Sequence, residues 1–268
     1  KAQLVSILNM DAHEKRLISA VMFGGGSVMR DNDIMCQHAW TLSTRLSEMG
    51  WCILTGGGQE GIMKWASVGA RQGRNGKSVA ITCKAVRDKH IQAYGTIKDA
   101  YYHSTVCVLN IRDRKQLLLE YSDWRFFFPG SIGTIDELST CLQMQRTRVH
   151  SDPLSKVVFI GALFWTPLIN TLRALMEPMN TTQYSKKLLA WNIVDTVEEV
   201  MNIIKTEYGG PVGSFTPVDS DNVGVPSIIQ TTKVSDPSTD TSGADLIQHI
   251  IKRVRDVGPP GLMSEHHI

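Results

Sequence analysis

With 268 residues, 42% hydrophobic and 20% charged, the chain has the size of one large domain or of one domain with an appendage, and ample apolar material for a core. No apolar run approaches the roughly 20 residues that cross a bilayer, so a membrane-spanning helix is excluded, and no basic-then-apolar leader is visible behind Lys1. The 28 basic and 26 acidic side chains leave a net charge of +2, too balanced for the footprint of a nucleic-acid-binding protein. Cys36, Cys52, Cys83, Cys107 and Cys141 form no CxxC pair and show no metal-ligand spacing. Four of them stand among apolar neighbours, which favours reduced, buried thiols and a cytoplasmic location.

In chain order, β-type runs are expected at Leu17–Phe23, Trp51–Thr55, Ser78–Thr82, Thr105–Leu109, Arg125–Phe128, Lys156–Ile160 and Asn192–Val194. Between them, helical spacing predicts helices at Ile34–Glu48, Ile62–Arg71, Asp113–Tyr121, Ile135–Arg146, Pro167–Met176 and Val197–Glu207. Alternation of this kind requires right-handed crossovers between parallel strands. The expected fold is therefore α/β, a doubly wound Rossmann-like sheet with helices on both faces. This domain is expected to span residues 1–208. From 209 to 242 the chain turns to Gly, Pro, Ser, Thr and Asp, and reads as a linker or loosely docked strap. Residues 243–268 read as a short amphipathic helix, with Leu246, Ile247, Ile250, Ile251 and Val254 on one face, followed by a tail.

Three glycine-rich segments follow predicted strands: Gly24-Gly25-Gly26-Ser27, Gly56-Gly57-Gly58-Gln59-Glu60-Gly61-Ile62-Met63 and Pro129-Gly130-Ser131-Ile132-Gly133-Thr134-Ile135-Asp136-Glu137. Loops at the carboxyl ends of parallel strands line the ligand crevice of an open sheet. Glycine lets the backbone approach a phosphate, and a helix N-terminus presents free N–H groups to it. Three such loops imply a phosphate-bearing ligand, although any one alone reads equally well as a tight turn. Neither the dinucleotide fingerprint nor the Walker pattern fits, which counts against NAD and ATP hydrolysis. Thr134 and Glu137 have two readings: a capping box at a helix start, or a hydroxyl on phosphate with a carboxylate beside the sugar. The cluster Asn110-Ile111-Arg112-Asp113-Arg114-Lys115 likewise reads as a solvated first turn or as a phosphate-directed group in the same crevice.

Taken together these residues resemble the LOG (LONELY GUY) family of phosphoribohydrolases, whose members have carried the label lysine decarboxylase. The family signature P-G-G-x-G-T-x-x-E corresponds to Pro129–Glu137, the preceding Arg-Lys pair to Arg114-Lys115, and G-G-G-x-x-G-x-M to Gly56–Met63. The resemblance runs from Leu17 to Lys205. It implies hydrolysis of the N-glycosidic bond of a nucleoside 5′-monophosphate, releasing free base and ribose 5-phosphate. On this pattern Glu137 stabilises the oxocarbenium-like sugar and orients water, while Arg114 positions the phosphoribosyl group or assists the departing base. Gly130, Ser131, Gly133, Thr134, Gly57, Gly58 and Gly61, with Ser27 and Lys115, hold substrate and phosphate. A homodimer or higher homo-oligomer is implied, with no cofactor, no metal, no nucleic-acid polymer and no membrane. Two departures stand out: Ser131 replaces the second family glycine, and Ile111-Arg112 replaces Met-His. The second keeps the base open among purines, pyrimidines and modified bases.

The alternative is a non-catalytic nucleotide-binding or sensor protein of the same fold; the pairing of Arg114 with Glu137 favours the enzyme, because a carboxylate beside phosphate weakens a pure binder. Pyridoxal-dependent decarboxylation has no lysine in a recognisable setting. His13, His38, His90, His103, His150 and His249 are dispersed and read as satisfied or surface side chains. Trp40, Trp51, Trp65, Trp124, Trp165 and Trp191 read as core.

Overall fold

The computed structural model describes residues 18–26, 33–73, 75–97, 99–147, 156–176 and 191–208. Ser27, the linker expected over 209–242 and the helix and tail expected over 243–268 lie outside the described residues. Seven short apolar runs pair into one sheet: β1 (Ser19–Phe23), β2 (Cys52–Thr55), β3 (Lys77–Cys83), β4 (Ser104–Val108), β5 (Trp124–Phe127), β6 (Lys156–Ile160) and β7 (Asn192–Val194). All six pairings are parallel, in the order β4-β3-β2-β1-β5-β6-β7. Seven α-helices supply the crossovers among the described residues: α1 (Ile34–Glu48), α2 (Gly61–Gln72), α3 (Lys84–Tyr94), α4 (Ile111–Glu120), α5 (Ile132–Thr147), α6 (Ala162–Met176) and α7 (Val197–Tyr208).

Strand residues alternate between two apolar layers, because successive side chains point to opposite faces of a sheet. On one face Ala20, Met22, Ile53, Trp124, Phe126 and Val158 pack against α1, α2 and α7; on the other Val21, Phe23, Leu54, Phe127, Val157 and Phe159 pack against α4, α5 and α6. This two-sided burial explains why the central strands read as continuous apolar runs rather than alternating ones. Phe126, Phe127 and Phe128 are each fully buried, contributing about 1.5–3 kcal/mol apiece by area.

Several element starts differ from expectation, each for a local reason. Asn110 accepts from the Asp113 N–H at 2.9 Å and so starts α4 at Ile111, two residues before the expected Asp113. Asp195, distant in sequence, accepts from the Ala162 N–H at 2.7 Å and starts α6 ahead of Pro167. The carbonyl that Pro167 leaves unpaired belongs to Leu163, whose side chain is exposed, so water can satisfy it. A capping box does form, but at α7: Glu199 accepts from the Thr196 N–H at 2.9 Å, and Thr196 Oγ1 accepts from the Glu199 N–H at 3.3 Å. The Thr196 hydroxyl, donating at 2.8 Å, with the Asp195 and Thr196 N–H groups holds the Glu199 carboxyl below its usual range. The helix α3 has no counterpart among the expected elements. It buries none of its residues, so it leaves no apolar stripe for periodicity to detect.

Candidate functional site

β1 is flanked by β2 and β5, and the chain builds outward from it in both directions. This reversal of strand order opens a crevice at the carboxyl ends of β1 and β5. All three glycine segments meet there. The Phe128 N–H donates to Phe23 O at 2.9 Å, Gly25 N–H to Pro129 O at 2.9 Å, and Ile62 N–H to Gly25 O at 3.0 Å. Backbone thus binds to backbone, with little space for side chains. A Cβ on Gly61 would stand 2.3 Å from Gly25 O, at a φ of +57° that only glycine adopts without strain. On Gly130 it would stand 2.1 Å from Thr134 Oγ1, and on Gly58 2.4 Å from the Met63 methyl.

Gly56 carries a further constraint. A Cβ there would fall 1.6 Å from Arg114 Nη2, because the guanidinium lies flat against this glycine. Arg114 donates to Gly56 O from Nε at 3.1 Å and from Nη2 at 2.9 Å, bridging 58 positions of sequence. The fork fixes the plane of the group, and Nη1 faces Glu137 Oε1 at 3.8 Å, too long for a hydrogen bond but close enough for strong Coulombic coupling. Both side chains are largely enclosed, at 9% and 15% exposure. The solvated-turn reading therefore applies to Arg112, which is exposed, and not to Arg114.

Burial pushes the Glu137 carboxyl up from 4.5 to about 7, against the opposing pull of Arg114. At neutral pH such a group exchanges its proton readily, the condition for acid–base work. Lys115 turns away from this pair. Its ammonium contacts Asp136 at 2.8 and 2.7 Å, tying α4 to α5 beside Glu137.

Of the two readings of Thr134 and Glu137, the capping box does not form. The Thr134 and Ile135 N–H groups both donate to Ser131 O, at 3.0 and 3.2 Å, so α5 starts at Ile132 and Thr134 lies inside its first turn. Thr134 is buried beneath Gly130. Ser131 and Gly133 are exposed, and the space around the Gly133 Cα is open. The serine that replaces the family glycine consequently meets no crowding. An α5 N-terminus of this kind leaves N–H groups of its first turn without helical partners, beside a loop of exposed backbone.

Two neighbours were missed by sequence reasoning. Thr82, at the end of β3, is buried with its hydroxyl unpartnered among the described residues, against Gly57. Glu60 stands at the N-cap position of α2 without capping it. An acidic residue inside a glycine-rich, phosphate-type loop was the available signal for the second; nothing local marked the first. All five cysteines are free, four of them buried. Among the described residues no group of three His, Cys, Asp or Glu is placed to hold a metal ion, and no helix is long and apolar enough to cross a membrane.

Comparison with known proteins agrees with this architecture. The molybdenum cofactor binding protein of Rippkaea orientalis is 19% identical, with a TM-score of 0.53 over 73% of this chain and 99% of that one. The molybdenum cofactor carrier protein of Chlamydomonas reinhardtii is 18% identical, with a TM-score of 0.52 over 73% of this chain and 100% of its own. At such identities the likeness shows the fold. No curated protein matches the sequence significantly. A family model described as possible lysine decarboxylase matches residues 63–204, more than half of the chain and all of the segment from Arg114 to Glu137. Joined to the glycine loops and the Arg114–Glu137 pair, this match makes the chain a member of the LOG family, the group that carries the possible-lysine-decarboxylase description.

Proposed function

We propose that the protein hydrolyses the N-glycosidic bond of a nucleoside 5′-monophosphate, releasing the free base and ribose 5-phosphate. The observation that carries this reading is the enclosed Arg114–Glu137 pair at the switch-point crevice, with the carboxyl lifted to about 7. The C1′–N bond breaks with its electron pair leaving on the base, positive charge builds on the sugar, water adds at C1′, and the proton it loses passes by way of solvent to the departing base. In its ionised form Glu137 stabilises that charge and orients the water. Arg114, its plane set by Gly56 O, holds the phosphoribosyl group or the departing base.

The 5′-phosphate belongs on the half-buried backbone of Gly130 and the exposed backbone of Ser131 and Gly133 at the α5 N-terminus, with Gly57, Gly58 and Gly61 shaping the opposite loop. Thr134 supports this loop from beneath. Lys115 contributes through Asp136, keeping α5 in place, and reaches phosphate only by leaving that partner. Leu109, Ile111 and Ile132 stand 82%, 58% and 82% exposed around the site. Apolar exposure of this extent suits a homodimer interface there, which sedimentation at micromolar concentration would establish or refute. A cytoplasmic location and a reaction without cofactor complete the reading.

The test is chromatographic product analysis with AMP, GMP, IMP, CMP, UMP and a prenylated AMP, beside Glu137→Ala. Base released by the wild type and not by the variant supports hydrolysis. Nucleotide bound without any base released moves the function to a second reading, a non-catalytic binder, to which the cofactor-binding and carrier proteins of similar fold lend weight.

A further inference from the structure

The crevice has another wall, which the phosphoribosyl chemistry leaves unused. β3 runs directly into α3, with Cys83 as both the last strand residue and the helix cap. Although α3 buries none of its residues, it carries two rings on one face. His90 and Tyr94, four apart, stand with centroids 6.1 Å apart and planes at 51°. Tyr94 reaches the outer end of the Gly56–Gly61 loop at Glu60. The Tyr94 hydroxyl bonds to the Glu60 carboxylate, which keeps the phenol above its usual range. His90 is half-buried, held below its usual range by burial, and carries the fields of both Glu60 and Arg114. α3 starts two residues after Thr82, whose Cβ stands 3.1 Å from where a Cβ on Gly57 would be, so the helix leaves the sheet beside the loop. Under the loop, Thr82 adds a buried hydroxyl without a partner among the described residues, packed against Gly57.

The chemistry of this wall differs from that of the α5 end. Glu60 occupies the N-terminus of α2 with a negative charge of the protein's own, so a phosphate there meets repulsion where α5 offers free N–H groups. The group that enters beside Glu60 must be uncharged and able to donate. An ionised carboxylate only accepts, at about four lone-pair positions, of which Tyr94 takes one. Among the common bases guanine alone presents two adjacent donors on one edge, N1–H and the 2-amino group. Adenine and cytosine offer a single amino group next to an acceptor that the carboxylate repels. Rings such as those of His90 and Tyr94 provide a face for stacking.

We infer that Glu60, His90 and Tyr94 form the base-recognition wall of the crevice and select a guanine edge, Glu60 accepting from N1–H and the 2-amino group. This inference rests on the nucleotide reading above and names its substrate class.

Calorimetric titration tests it, using GMP, IMP and ribose 5-phosphate on Glu137→Gln as a non-hydrolysing background, with and without Glu60→Gln. IMP lacks only the 2-amino group of GMP, and ribose 5-phosphate lacks the base. GMP is expected to bind at least about tenfold tighter than IMP. Glu60→Gln is expected to abolish that preference while leaving ribose 5-phosphate within about threefold. Equal affinity for GMP and IMP, or a preference that survives Glu60→Gln, overturns the assignment while ribose 5-phosphate still binds and the nucleotide reading stands. Failure of GMP, IMP and ribose 5-phosphate all to bind overturns both. Glu60 is only partly buried and caps nothing, so loss of the preference with an unchanged thermal midpoint reports recognition and not unfolding.

Discussion

At Gly61 one added carbon would press into the carbonyls of Gly25 and Gly26, while a few residues along the crevice α3 presents eleven residues of which none is buried. These two regions obey different constraints. The floor is made of backbone packed on backbone, so its residues are set by geometry and admit almost no side chain. The α3 rim packs on the core through the partly buried Val86 and can change composition at its exposed positions without disturbing the sheet. On the proposed function the first region positions the reacting groups, and on the further inference the second discriminates between ligands.

The largest expected break in this contrast is Gly61→Ala. Its positive φ and a Cβ 2.3 Å from Gly25 O leave the loop no relaxed alternative, and a loss of about 3 kcal/mol or more is expected by urea denaturation. Glu137→Gln sharpens the contrast through pH. With the folded carboxyl raised from 4.5 to about 7, the native chain binds more protons than the unfolded chain in that window. The resulting stability is complete below pH 4.5 and is lost as pH rises through 7, a decline of roughly 3 kcal/mol. The glutamine variant should show no such decline when unfolding free energies at pH 5 and pH 8 are compared. For the wild type, kcat/KM should instead rise as pH increases toward 7, since ionised Glu137 is the working form.

Gly56→Ala should act on chemistry more than on folding. The atom in the way is the end of a flexible side chain, so the Arg114 guanidinium yields, at about 1–2 kcal/mol of stability, while base release falls by about 100-fold. Smaller still is Lys115→Ala, which breaks a pair whose Asp136 member is 62% exposed, worth about 1 kcal/mol or less in thermal unfolding. At the rim Ile91→Ala removes a side chain already 48% exposed and should change stability by no more than about 0.5 kcal/mol. A large loss there would show that α3 is held as firmly as the floor.

How much was legible follows the same division. β6, β7 and α1 coincide with the expected ranges; for β6 and α1 the reason is that a buried strand and an amphipathic helix write their burial into local spacing. α3 escaped because Lys84–Tyr94 covers the crevice edge and buries nothing. α4 and α6 start early because their caps, Asn110 and Asp195, act through side-chain bonds that hydrophobic spacing does not encode. Within the site, Arg114, Glu137 and the glycine loops were recognisable as motifs. Glu60, His90 and Thr82 were not, since each is ordinary in its own segment and gains meaning from neighbours on other strands and helices.

By itself the sequence determined the alternation of strand and helix, the glycines at strand ends and the family these imply, all of which depend on residues close together along the chain. Only the tertiary structure decided that β1 and β5 adjoin, that Arg114 lies on the Gly56 carbonyl, that Lys115 pairs with Asp136, and that the Glu137 carboxyl is raised to about 7. The physical reason is that charge stabilisation and solvent exclusion depend on what surrounds a group in space. For Arg114 that surrounding comes from a loop 58 positions away.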